Sequence, residues 1–157
     1  MLKINKKRSL YLSLAVATVI LPCCLLAAVF MPRIMETLVR IHYAIHGTPA
    51  LTGGDVSVLY GMAYGILAIT LLADVLLFRL LLRVCREQVF SAPSISCIRY
   101  ISWCCLLIAL LLVCVGVYFR IALCVALLAA FLGLCVRVVK NVIEEATAIK
   151  SENDLTV

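Results

Sequence analysis

Apolar positions fall into four blocks, at 10–31, 57–78, 99–118 and 121–140, and most of the charged residues collect between and beyond them. At about 1.5 Å of rise per residue, a helix of roughly 20 residues crosses a hydrocarbon core of about 30 Å, so each block predicts one span. The last two blocks lie in one apolar stretch that would overshoot a bilayer as a single helix. Gly116 and Arg120 mark the break and predict a very short turn. Pro22 sits inside the first block and predicts a local kink, with the freed carbonyl of Thr18 shielded by neighbouring helices. The block is longer than the apolar region of a signal peptide, and Ala15-Val16-Ala17 comes too early for a cleavage site. No small residue of the lipoprotein kind precedes Cys23 or Cys24, so an uncleaved anchor is expected.

Composition narrows the class. The chain is 66% hydrophobic and 14% charged, against roughly 25% charged in soluble domains. It lacks the polar surface to close a water-soluble core. The net charge of +6 does not indicate nucleic acid, because the basic residues flank apolar runs and form no stripe with interleaved aromatics. Their distribution sets the topology instead. Lys3, Lys6, Lys7, Arg8, Arg79, Arg83, Arg86, Arg99, Arg137, Lys140 and Lys150 give eleven on one side, against Arg33, Arg40 and Arg120 on the other. The positive-inside rule then places both termini in the cytoplasm. The expected fold is an all-α integral membrane protein, a single domain over 1–157 built as a four-helix transmembrane bundle with N-in/C-in topology. An outer segment covers 32–56, a cytoplasmic connection 79–98, and helix 4 extends into the cytosol as a tail over 141–157.

Candidate chemistry is sparse. Asp74 lies well inside the second block, where a carboxylate costs about 3 kcal/mol on insertion scales. Counted from the outer ends of their spans, Asp74 and Arg137 reach similar depth, which predicts an ion pair, with Arg99 as a competing partner. Ser57, Gly61 and Gly65 recur every fourth residue and predict a face for close helix packing within the chain. Arg79, Arg83 and Arg86 share one helical face, either as a belt snorkelling to anionic headgroups or as partners for Glu144, Glu145, Glu152 and Asp154. Val139, Val142, Ala146 and Ile149 continue a helical stripe beyond the last span, and such a stripe needs a partner.

In the outer segment, Ile34, Leu38, Ile41 and Ile45 predict an amphipathic helix on the membrane surface, stopped by Gly47 and Pro49. His42 and His46 stand four apart there without a carboxylate or thiol at useful spacing, so two solvated histidines are expected and no metal. Most of the nine cysteines lie in apolar runs and read as small hydrophobes; Cys114 and Cys124, flanking the outer turn, are the pair that an oxidising exterior would bring into question. Neither histidine lies within a span, which argues against haem. There is no redox dithiol, no grouping of nucleophile and base, and no Gly-rich phosphate loop. A non-enzymatic protein without cofactors is expected.

Two segments carry a resemblance. The connection before the third span reads Val89-Phe90-Ser91-Ala92-Pro93-Ser94 and continues to Ile98-Arg99-Tyr100-Ile101, and the chain ends Glu152-Asn153-Asp154-Leu155-Thr156-Val157. With four spans and both ends inside, the chain resembles the bacterial membrane family catalogued as domain of unknown function 2975. Members show a Phe-Ser segment followed by Leu-Arg before the third span, and a Glu-Asn-Asp-Leu-Thr ending. Ile98 stands here where Leu is usual, a mild departure. The resemblance covers nearly the whole chain and implies a bacterial inner-membrane location. Genes of the family commonly neighbour a small helix-turn-helix regulator, which implies a cytosolic DNA-binding partner for a regulatory or interaction module. The implied surface joins Arg79, Arg83, Arg86, Phe90 and Ser91 to Glu152, Asn153, Asp154, Leu155 and Thr156. The competing expectation is a small transporter, or an immunity-type protein against a membrane-active peptide, in which Asp74 is functional.

Overall fold

The computed structural model describes residues 6–46, 53–86 and 92–155, with side chains over 10–45, 53–86 and 93–149. Four helices account for nearly all of them: α1 (Lys6–His46), α2 (Gly53–Cys85), α3 (Ala92–Gly116) and α4 (Ile121–Leu155). All four are long and apolar enough to cross a membrane. α3 ends where the sequence places a break. The turn after Gly116 is closed by Phe119 N–H donating to the Val115 carbonyl at 2.9 Å, and the N–H of Ala122 then donates to the Phe119 carbonyl at 2.9 Å as α4 begins.

The first helix departs from expectation. A span over 10–31 and a separate surface helix in the outer segment were anticipated, yet α1 runs unbroken for 41 residues through both Pro22 and Pro32. Pro32 cannot donate to the carbonyl of Ala28, and an orphaned acceptor would ordinarily favour a break there. Here α2 supplies the missing donor. Tyr64 O–H donates to the Ala28 carbonyl at 3.5 Å, and Tyr60 O–H donates to the Pro32 carbonyl at 3.3 Å. Residues such as Ile34, Leu38 and Ile41 therefore decorate the far end of α1.

Each helix packs antiparallel on its sequence neighbour. Ala28 lies against Tyr64, Gly65 against Leu111, Arg83 against Cys97, and Ser102 against Gly133. Among the described residues no close backbone approach joins α1 to α3 or α4, or α2 to α4, so the four helices are arranged as a row in which each packs on its sequence neighbours. Short connections force neighbours together. Lipid is as good a solvent for leucine as another helix is, so exposed apolar faces do not drive the row to close. At the end opposite the chain termini, Met35 and Leu59 form a small core against Tyr43, Tyr60, Val115, Tyr118 and Phe119.

Candidate functional site

The helix registers define one level in the molecule. The Gly65–Leu111 and Arg83–Cys97 contacts place Arg79 of α2 beside Arg99 of α3, and α3 in turn meets Arg137 and Lys140 of α4. On each helix this level is where the long apolar run meets its first arginine. Guanidiniums at the same height on three adjacent helices fit a membrane boundary, with Trp103 beside them as an interfacial aromatic.

Asp74 lies about one helical turn deeper, level with Ser102–Leu106 of α3. It is only 5% exposed, and its Oδ2 has no hydrogen-bond partner among the described residues. The expected pair with Arg137 does not form. The two residues are close in depth, but α3 stands between their helices. Arg137 instead lies over the ring of Trp103, with its guanidinium carbon 4.9 Å from the centroid. Arg99 is taken by Glu144 at 3.4 Å, and Lys140 binds the other oxygen of the same carboxylate.

A second cluster gathers around that carboxylate. Arg99, Ser102, Trp103, Arg137 and Lys140 line a cavity of about 70 Å³ in the α3–α4 groove. Its floor is a close helix approach. Ser102 O–H donates to the Gly133 carbonyl at 2.9 Å, and a Cβ at Gly133 would meet Cys105 and Leu106 at 3.2 Å. Sequence reasoning found Arg99 and Arg137 but missed Ser102, Trp103, Gly133 and Lys140. The signal was present: Arg99, Ser102 and Trp103 share one face, as do Arg137, Lys140 and Glu144, at helical spacing.

Other expected features resolve differently. Arg79, Arg83 and Arg86 do converge, lining with Leu82 a groove of about 230 Å³. No described acid pairs with them; Arg83 reaches only the Cys97 sulfur, at 3.8 Å, while Glu144 serves α3 and α4. Phe90, Ser91 and Thr156 lie outside the described residues, as do the side chains of Glu152, Asn153, Asp154 and Leu155. The small-residue face does not pack as anticipated. Ser57 is exposed and bonds its own Gly53 carbonyl, Gly61 faces open space, and Gly65 alone meets a neighbour, Leu111 at 3.8 Å.

At the opposite end, Tyr118 donates to an Asp55 carboxylate oxygen at 3.1 Å. That hydrogen bond, the carboxylate's charge and burial raise the phenol above its ordinary range. The ring of His42 meets Phe119 edge-on at 5.5 Å, while the side chain of His46 lies outside the described set. Cys114 and Cys124 are free thiols.

Length, apolarity and packing of the four helices define the class: a multi-pass, all-helical membrane protein. Within it, residues 14–157 match the family model described as a protein of unknown function, DUF2975, and the chain belongs to that family. No curated protein and no solved structure matches significantly.

Proposed function

We propose that this chain is a non-enzymatic interaction module of the bacterial inner membrane, working with a cytosolic helix-turn-helix regulator through the face that carries both termini. The observation that carries this reading is the far end of α4. The helix continues to Leu155, well past the boundary level at Arg137, and at about 1.5 Å per residue that extension reaches roughly 27 Å. Along it Val139, Val142 and Ile149 are exposed, with Val142 at 60% and Ile149 at 59%. An apolar stripe on a helix leaving the membrane offers a groove-binding partner its anchors. The excess of Lys and Arg on this face argues for a cytoplasmic orientation.

The test is recovery of partners from detergent extracts of the native host, using the full chain and a chain lacking 152–157. A helix-turn-helix protein recovered with the first and lost with the second supports the module. Identical recoveries remove it, and so does a C-terminal tag that proves reachable from outside intact cells. A second reading, a small transporter or an immunity-type protein, is favoured by the unpartnered Oδ2 of Asp74, since intramembrane acids often mark ion or proton pathways. Asp74→Asn separates the two: it abolishes an ion-coupled activity and leaves partner recovery intact.

A further inference from the structure

We infer that the α3–α4 cavity is a binding site for an anionic phosphate group, presented either by a lipid headgroup or by free phosphate. Three cations, Arg99, Arg137 and Lys140, face one described acid, Glu144, so the site keeps a surplus of positive charge. Glu144 engages Arg99 and Lys140, and Lys140 also reaches the Asn141 side-chain oxygen at 3.2 Å. Arg137 has no carboxylate partner among the described residues. Its guanidinium carbon lies 4.9 Å from the Trp103 ring centroid, a cation–π contact that consumes no N–H hydrogen bond and leaves those groups for bidentate binding of phosphate oxygens.

Shape and position agree with that charge. The cavity volume of about 70 Å³ holds a group of a few heavy atoms, and its floor is firm because Ser102 is tied to the Gly133 carbonyl. The Ser102 hydroxyl has committed its proton there, so it supports the site without donating to the ligand. The site lies at the boundary level, where headgroup phosphates are the abundant anions, and basic pockets between spans suit them.

Trp103 is the single tryptophan of the chain, so its emission reports on the site without labelling. The full chain in a neutral detergent is titrated with dihexanoyl phosphatidic acid, with dihexanoyl phosphatidylcholine and with inorganic phosphate. Native mass spectrometry provides a second readout that loss of the stacked guanidinium does not itself disturb. Phosphatidic acid is expected to change Trp103 emission saturably, with phosphatidylcholine at least about tenfold weaker. Arg137→Gln and Lys140→Gln should each weaken binding about tenfold, while Arg79→Gln on α2 stays within about twofold. Saturation and competition by inorganic phosphate assign the site to the free ion, and its silence assigns it to the lipid. Equal binding of phosphatidylcholine, or unchanged affinity in both Arg137→Gln and Lys140→Gln, overturns the site. Binding lost equally in Arg79→Gln also overturns it, since that indicates surface charge alone.

Discussion

The α3–α4 pair and the α1–α2 pair solve the same problem, holding two apolar helices together in lipid, by different means. Within the most apolar window of each helix, 22% of α3 and 17% of α4 is buried, against 6% for α1 and 6% for α2. The first pair meets backbone to side chain, where Gly133 lets Cys105 and Leu106 close in and Ser102 ties the helices by a 2.9 Å hydrogen bond. The second pair leans on long tyrosine side chains reaching carbonyls around a proline, with Met35 and Leu59 as a small core at one end. In lipid no hydrophobic force separates good from poor helix contacts, so fit and hydrogen bonds decide; each pair has two interhelical side-chain bonds, and α3–α4 has the closer fit and the shortest of the four.

The comparison is most directly broken at two glycines. Gly133→Leu places branched carbon where a bare Cβ already sits 3.2 Å from Cys105 and Leu106, so overpacking is expected to cost about 3 kcal/mol. Gly61→Leu, facing open space, should cost little and leave detergent thermal stability nearly unchanged. Thermal denaturation of both variants by size-exclusion chromatography checks the pair. If Gly61→Leu is the more damaging, the tight seam has been assigned to the wrong half, or a second copy covers that face.

Asp74 belongs to the looser half, and it is the described acid most deeply buried. A buried acceptor without a partner destabilises by about 1–3 kcal/mol, so Asp74→Leu should raise the thermal midpoint by roughly the lower part of that range. The charge swap Asp74→Arg with Arg137→Asp should not rescue either single variant, because α3 separates the two helices. A rescue would mean that the row closes in the membrane. A fall in stability with Asp74→Leu would mean that the acid has a partner supplied from outside the chain.

Four helices long enough to span a membrane and the Gly116–Arg120 break were legible, because each follows from run length and rise per residue. Lateral neighbours were not. Depth is a one-dimensional quantity that sequence carries, whereas which helix stands beside which depends on how four rods pack. Asp74 and Arg137 show this most clearly, close in height and apart in plan. The same limit explains the glycines. Ser57, Gly61 and Gly65 present the spacing associated with close approach, but the missing Cβ is used at Gly116, where Leu123 fills the space at the outer turn, and at Gly133 of α4, both glycines without a repeat. The Arg99–Trp103 and Arg137–Glu144 faces were readable one helix at a time, and only packing makes them a single pocket.

The continuity of α1 offers the finest test, because its support is a specific pair of groups. Pro32 removes the N–H that would serve the Ala28 carbonyl, and the Tyr64 hydroxyl stands in for it at 3.5 Å, a long and therefore weak bond. Tyr64→Phe should cost about 0.5 kcal/mol, the low end for a hydrogen bond. In a Pro32→Ala background the backbone regains its own donor, and the same Tyr64→Phe change should then cost almost nothing. A double-mutant cycle read by thermal midpoints isolates this coupling, since both substitutions leave the Met35–Leu59 contact in place. Strict additivity would show that the tyrosine merely packs against α1. A positive coupling would show that α2 completes the backbone of α1, so the looser seam depends on a few placed donors where α3–α4 depends on fit.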